Sequence, residues 1–419
     1  MSESSDRTMA ASARTLLELL LLLILTITFT ISINPVILVP GDGGSQITAR
    51  LNKSASPIVY CEKKTNYYYT LWLDLTQITV AQDCFVDNMR LVYDNVTRKT
   101  LDSPGVSIDI PGFGSTPTVE YLDPARERFT TYYYYVVKEL VKLGLTRNVS
   151  IRGAPYDFRR SPNEFQDYFK NFKSMVEETY KMNNGSRVTI IAHSMGCPTM
   201  LYFLNSQTQA WKDKYIKSFI TISGVWGGAA KTLRVMASGD NLGIFILKDN
   251  IVRKYQRTAT STAWLMPYDT FWKSDEILVS RPGRNYTVKD YKQFFADLNF
   301  TIGYEMRKDT ENLVKDLRPP GVEVHCIHGI NVSTPASFVY GKGFPNVQPT
   351  TINGDGDGTV NLQSLHGCLR WSKQQKQPVY HHTLSGADHL KILKNQTLID
   401  LISQIVTKKS KFSKNKLKN

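Results

Sequence analysis

Residues 188–196 read Val188-Thr189-Ile190-Ile191-Ala192-His193-Ser194-Met195-Gly196. The β-branched apolar run that opens this stretch has the composition of a short buried strand. It ends on a serine with small residues two positions to either side, Ala192 and Gly196. A helical pattern follows to about Leu204, with Pro198 in the first turn, where a missing N–H costs nothing. Strand, serine, helix is the nucleophile elbow G-x-S-x-G, here with alanine in first place. The elbow needs small flanking residues because neighbouring backbone crowds the turn. It lifts the Ser194 hydroxyl above the sheet edge, and the helix N-terminus favours negative charge developing there.

The neighbouring segments fit a sheet around that strand. Pro35 to Val39 is a short apolar run closed by Pro40-Gly41-Asp42-Gly43-Gly44, a buried strand followed by a tight glycine-rich loop. A helix is expected over Thr130 to Leu143, stopped by Gly144. A strand is expected over Val149 to Gly153, and a long helix over Pro162 to Met182 that begins near a serine cap. Ile216 to Ser223, Val322 to Ile327 and Val379 to Leu384 supply further strands, and a helix over Thr397 to Thr407 closes the series. Strands alternating with helices predict an α/β class fold, a mostly parallel sheet covered on both faces, over residues 33–405. Two stretches break the rhythm and are read as insertions. One covers about 50–90 and contains Cys61, Cys84 and the run Tyr67-Tyr68-Tyr69-Thr70-Leu71-Trp72-Leu73. The other covers about 225–320 and is expected to form a cap.

A serine nucleophile needs a base, and the base needs a group that orients it. In this fold the chain order is serine, acid, histidine. Of seven histidines, His389 follows Ser385-Gly386-Ala387-Asp388 in a loop after the last strand and is assigned as the base. His193 adjoins the nucleophile and points away from it; His325, His328, His366, His381 and His382 are read as structural. The acid comes from Asn353-Gly354-Asp355-Gly356-Asp357-Gly358, which offers Asp357 and Asp355. The same loop suggests calcium, but no glutamate stands at the twelfth position of an EF-hand, so no metal and no cofactor is assigned. The oxyanion donors are expected to be the backbone N–H of Met195, which follows the nucleophile, and that of Asp42, in the loop after the leading strand. A protonated Asp42 carboxyl could also donate to substrate, which would favour acidic pH.

The chain has 419 residues and a formal charge of +14. Part of that excess is a lysine-rich end, residues 406–419, read as a solvated tail. The rest suits an anionic membrane surface; no motif of a nucleic-acid reader is present. Arg7 and Arg14 precede an uncharged run from Leu19 to Ile33, so residues 1–32 are read as a signal peptide or an uncleaved signal anchor. Eight N-x-[ST] sequons, at Asn52, Asn95, Asn148, Asn184, Asn285, Asn299, Asn331 and Asn395, agree with passage through the secretory pathway. Five cysteines allow two disulfides and one free thiol. Cys61 and Cys84 could close a loop and Cys326 and Cys368 could tie two late segments, which leaves Cys197 as a small buried hydrophobe.

These residues together resemble the family of lysosomal phospholipase A2 and lecithin–cholesterol acyltransferase. The matching segments are Pro35 to Gly44, Asp123-Pro124, Arg152-Gly153-Ala154-Pro155-Tyr156-Asp157-Phe158-Arg159, Ala192 to Gly196, Ala210 to Ile216, Trp226 to Gly239 and Gly354 to Asn361. The resemblance spans roughly residues 35–405. It implies an α/β-hydrolase fold with Ser194, Asp357 and His389 as triad, the second aspartate of the loop being preferred over Asp355. It implies Asp42 and Met195 as oxyanion and substrate contacts, and disulfides Cys61–Cys84, in a membrane-binding subdomain carrying Trp72, and Cys326–Cys368. It also implies a mobile lid near Lys231 to Ile246. Val225 replaces a proline of the family before Trp226-Gly227-Gly228, which is expected to alter the edge of the acyl groove. Ile352 replaces a cysteine associated with inhibitory zinc, so no zinc site of that kind is expected.

The function implied is a phospholipase A and O-acyltransferase. It would act at a phospholipid membrane surface, as a monomer, and pass the acyl group to water or to a lipid alcohol, ceramide or sterol. The destination implied is the lysosome or the extracellular fluid. A neutral-lipid lipase or carboxylesterase on the same fold is the first alternative, separable by comparing phosphatidylcholine with triacylglycerol. A lipid-binding protein without chemistry is the second, separable by a serine-directed fluorophosphonate probe.

Overall fold

Every residue of Val36–Val39 is fully buried, as are most of their neighbours in the flanking strands. The computed structural model describes residues 33–243 and 247–407 of the chain. The expected leader, the lysine-rich tail from Lys408 and the end of the expected lid, residues 244–246, lie outside the described residues. A six-stranded sheet forms the centre, its strands labelled in chain order β1 (Val36–Val39), β2 (Ile151–Gly153), β3 (Val188–His193), β4 (Ile216–Ile222), β5 (Val324–Ile330) and β6 (Val379–Ser385). Their spatial order is β6-β5-β4-β3-β1-β2, and every pairing is parallel. The registers Val39↔Ala192 and His193↔Ile222 align the carboxyl ends of β1, β3 and β4.

Burial on both faces explains the unbroken apolar runs. Successive side chains of β1 enter opposite cores: Ile37 and Val39 pack with Ile190, Met200 and Phe203, whereas Val36 and Leu38 pack with Ile191, Val137 and Ile402. The four main flanking helices are α1 (Tyr134–Lys142), α2 (Gln166–Met182), α3 (Gly196–Ser206) and α4 (Gln396–Val406). In α2 the buried residues are Phe172, Met175, Val176 and Thr179, the i, i+3, i+4, i+7 stripe of a one-sided helix. In α4 the Asn395 side chain accepts from the N–H groups of Thr397 and Leu398, which fixes its start. Each large aliphatic side chain these helices bury contributes about 1.5–3 kcal/mol.

Three local expectations change. The Ser161 hydroxyl bonds to the Asn163 side chain, not to a helix, and Pro162–Glu164 forms a separate 3₁₀ turn before α2 begins at Gln166. Helix α1 begins at Tyr134, not near Thr130, because the Thr130 hydroxyl turns back on the Asp123 backbone, accepting from its N–H and donating to its carbonyl, while the Thr130 carbonyl accepts from Leu122. Strand β2 begins at Ile151, because Asn148 at φ 64° closes a turn onto Ile151.

The excursion between β1 and β2 contains a small antiparallel sheet in which Ile47–Leu51 lies between Tyr69–Trp72 and Val106–Asp109. It also holds the disulfide Cys61–Cys84. A buried Arg159 ties this excursion to the core, reaching Asp157, Asp102 and the carbonyl of Met89. Beyond β4 a separate apolar cluster including Leu233, Met236, Trp272, Phe294, Phe338 and Tyr340 forms a second body of packing. Its four-stranded sheet takes Arg284–Tyr286 and Val279–Arg281 from before β5 and Thr334–Val339 and Thr350–Gly354 from after it.

Candidate active site

Ser194 sits at φ 53°, in the left-handed region where a serine is strained. The surroundings hold it there. Its N–H donates to the carbonyl of Ile222 on β4, and its own carbonyl accepts from Cys197 in α3. A Cβ on Gly196 would come within 2.4 Å of the Pro40 carbonyl oxygen, and one on Gly41 within 2.7 Å of the Ser194 Cβ. Only glycine lets the loop after β1 press this closely on the elbow, which is the physical content of the motif.

The structure brings three of the expected residues into a chain of hydrogen bonds. Ser194 Oγ is 2.9 Å from His389 Nε2, and His389 Nδ1 is 2.7 Å from Asp357 Oδ2. His389 lies in the loop after β6, and its N–H donates to the Asp357 carbonyl at 2.7 Å. Asp357 follows the excursion that leaves β5, joined to Val332 by a parallel bridge. It is fully buried, which by itself disfavours its charge. The His389 imidazole and the N–H groups of Val360 and Thr359 outweigh that and hold the carboxyl below its ordinary range. Asp355, the other aspartate of the loop, is exposed and accepts instead from the N–H groups of Asn331 and Gly356.

His193 does point away from the nucleophile, and its contacts go further than the sequence could indicate. The N–H of Gly41 donates to the Tyr132 hydroxyl at 2.9 Å. That hydroxyl in turn donates to His193 Nδ1 at 2.5 Å, and His193 Nε2–H donates to the carbonyl of His389 at 2.9 Å. Burial keeps both ends neutral: it pushes the Tyr132 phenol up and His193 down to about 3. A relay of uncharged groups therefore links the loop after β1, the elbow and the loop of the base. Tyr132 carried no signal in the sequence, because nothing local marks a tyrosine that must reach across 61 positions.

Asp42 and Met195 directly follow Gly41 and Ser194, the residues at which the two loops press together. Gly44 N–H bonds to the Gly41 carbonyl across a turn with Asp42 and Gly43 at its centre, Gly43 at φ 69°. Among the described residues, no hydrogen bond uses the N–H of Asp42 or of Met195. The Asp42 side chain is solvent-accessible, yet protein surrounds it closely enough that lost hydration raises its carboxyl to about 6; the charges of Lys231 and His389 oppose that rise. Trp72 is buried rather than exposed: it donates to the Gly43 carbonyl at 2.8 Å and packs on Phe85 and Phe158, so it braces this loop from behind. Of the expected lid, Lys231–Ala237 is helical, and Asp240 is bound by Arg234 and Lys231.

Both disulfides implied by the resemblance are present, Cys61–Cys84 and Cys326–Cys368, and Cys197 is buried with a free thiol. Val225, at the altered groove edge, is buried in the main core, whereas Ile352 is half exposed on the cap sheet. The remaining histidines divide in two. His325 pairs with Glu323 and stacks on Tyr380 and His382. His328, His366 and His381 converge on one another, which the sequence reading did not anticipate.

A parallel sheet with a strained serine at the end of a central strand, and a histidine and an acid delivered by later loops, defines the α/β-hydrolase class. The description of the lecithin:cholesterol acyltransferase family matches residues 67–396 of the chain. The lysosomal phospholipase A and acyltransferase of Mus musculus is 46% identical over 373 residues, which cover 89% of this chain and 90% of the relative. Its Homo sapiens counterpart is 45% identical with the same coverage. The phosphatidylcholine-sterol acyltransferase of Homo sapiens is 39% identical over 374 residues, 89% of this chain and 84% of the relative. The chain belongs to the lecithin:cholesterol acyltransferase family.

Proposed function

We propose that this protein is a phospholipase A and O-acyltransferase that works through an acyl-enzyme on Ser194. The observation that carries the reading is the chain Asp357–His389–Ser194, with contacts of 2.7 and 2.9 Å, in a chain 45% identical to a lysosomal phospholipase A and acyltransferase. In the first step His389 Nε2 takes the Ser194 proton, and Asp357 holds the ring in the tautomer that leaves Nε2 free to accept it. Oγ attacks the ester carbonyl of a glycerophospholipid, and the N–H groups of Asp42 and Met195 receive the oxyanion. The bond to the glycerol oxygen breaks, and His389 returns the proton to that oxygen. In the second step water or the hydroxyl of a lipid alcohol attacks the acyl-serine, its proton passing to His389. Water yields a fatty acid; ceramide or a sterol yields an acylated lipid.

The substrate lies in a membrane, and one region suits contact with it. Val59, Tyr60, Tyr67, Tyr68 and Val80, all in the 50–90 insertion, are large, apolar and exposed, and Lys63 and Lys64 lie exposed among them. Tyrosines with basic neighbours suit the headgroup zone of an anionic leaflet. No helix among the described residues is long and apolar enough to cross a membrane. The reading places the protein in the lysosome or secreted, attached peripherally or by its N-terminal segment. Seven of the eight sequon asparagines are exposed, which leaves room for glycans; Asn395 is half-buried at the cap of α4.

The test is a liposome assay with acyl-labelled phosphatidylcholine, with and without N-acetylsphingosine, at acidic and at neutral pH. Release of labelled fatty acid, diverted to acyl-sphingosine when the acceptor is present, is the expected result. Turnover of triacylglycerol with none of phosphatidylcholine would reassign the protein as a neutral-lipid lipase.

A further inference from the structure

His328, His366 and His381 take no part in the acyl-transfer machinery, and the fold assembles them from three separate segments. Strands β5 and β6 pair with Cys326 opposite His381 and His328 opposite Thr383. Side chains two apart on a strand share a face, so His328 and His381 stand on the same face as Cys326. The disulfide Cys326–Cys368 holds the 3₁₀ helix His366–Lys373 over that face, and His366 is its first residue. One ring nitrogen from each of the three histidines lies within 4.8 Å of the others.

The tautomer of the inner ring suits metal binding. His328 is fully buried, and its Nδ1 lies 2.9 Å from the Gly329 carbonyl, an acceptor. Nδ1 therefore carries the proton, and Nε2 presents a lone pair. A backbone carbonyl fixing the ring from behind is the usual second support of a metal-bound imidazole. The lone pair faces His381 Nε2 at 2.8 Å. His366 is half-buried and His381 exposed, so the cluster opens to solvent on one side, giving an ion a path in and room for a water ligand. Burial disfavours the charged form of all three rings, His381 down to about 4, and the carboxylate of Asp355 acts on both His328 and His366.

We propose that His328, His366 and His381 form a binding site for Zn²⁺, with water completing a tetrahedral shell. Three neutral imidazoles and an open fourth position are a donor set this ion favours. Zinc–nitrogen bonds of about 2.0–2.1 Å set the nitrogens about 3.3 Å apart. The His328–His381 pair opens slightly from its hydrogen-bonded separation, and the two outer rings rotate inward. The proton on His381 Nε2 moves to Nδ1 through solvent, so no charge is lost from the ring. The ion then staples β6 and the 3₁₀ helix to β5. The residue beside His328 is Gly329, whose missing Cβ would meet the Ala387 carbonyl at 1.8 Å and the Asp357 Cβ at 3.2 Å. Bound zinc therefore braces the strand pair under the acid and the loop of the base.

The experiment is equilibrium dialysis of the full chain, stripped by chelator, against ZnCl₂ at neutral pH, with thermal unfolding measured in parallel. The wild type should bind Zn²⁺ at this site and unfold at a higher temperature with the ion present. The double variant His366→Gln/His381→Leu should bind that ion at least tenfold more weakly, lose the thermal shift and still hydrolyse a soluble ester as the wild type does. The single variant His366→Gln should fall between. His389→Ala should retain the ion. Absence of binding in the wild type, unchanged binding in the double variant, or loss of the ion in His389→Ala alone would each overturn the proposal.

Discussion

The two sides of the active site are built differently. On one side Ser194, His389, Asp357 and the His193–Tyr132 relay are buried, neutral or mutually paired, and each polar atom has a partner from another element. On the other side Asp42 is solvent-accessible and raised to about 6, with Lys231 of the helix Lys231–Ala237 as its main opposing charge. The first arrangement is one connected set of hydrogen bonds that ties three loops together. The second changes its charge within the range that separates acidic compartments from neutral ones. The difference teaches that the reacting chain and the raised Asp42 carboxyl lie on opposite walls, so substitutions should separate their effects.

The largest effect belongs to the buried side. Ser194→Ala should lower turnover of phosphatidylcholine on the order of 10⁴-fold or more while liposome binding, read by flotation, stays intact. Tyr132→Phe should come next. Removing the hydroxyl leaves the Gly41 N–H and His193 Nδ1 buried without their partner, which should cost about 1–3 kcal/mol in chemical denaturation. It should also lower kcat/KM by roughly tenfold through the loosened loop, with an unchanged pH profile.

The accessible side should respond in pH and not in maximal rate. Below about 6 the Asp42 carboxyl carries a proton and can donate to the substrate oxygen; above it the carboxylate faces a developing oxyanion and repels it. Activity should therefore fall as pH rises through about 6, and Asp42→Asn, a neutral donor at any pH, should flatten that fall in a kcat/KM profile. The smallest effect is expected from Lys231→Met. Removing a charge that lowers the Asp42 pKa should move the same fall to higher pH without altering the acidic plateau. A change of maximal rate as large as that of Tyr132→Phe would break the division between the two walls.

Much of the buried side was legible because its signals are local. Ala192, Ser194 and Gly196 announce a crowded turn, and the chain order of serine, acid and histidine then narrows the candidates to a few loops. The choice of Asp357 over Asp355 came from resemblance. The structure gives the physical distinction: Asp357 turns inward to Thr359, Val360 and His389, and Asp355 outward to Asn331. What the sequence left unread depends on long-range closure. Tyr132, just before α1, matters because its hydroxyl meets Gly41 and His193, both distant in the chain. His328, His366 and His381 meet because a parallel register and a disulfide superpose three segments that alone read as strand and helix. The cap sheet was missed for the same reason, since Thr334–Val339 and Thr350–Gly354 lie beyond β5 in sequence but pair with Val279–Arg281 and with each other.

Treatment of the native protein with a fluorophosphonate, followed by peptide mass spectrometry, asks whether the elbow serine is the activated nucleophile. The account predicts one stoichiometric adduct, on Ser194, that forms at a greatly reduced rate in His389→Ala and is absent from Ser194→Ala. An adduct on another residue, or a Ser194 that labels equally fast without His389, would contradict it.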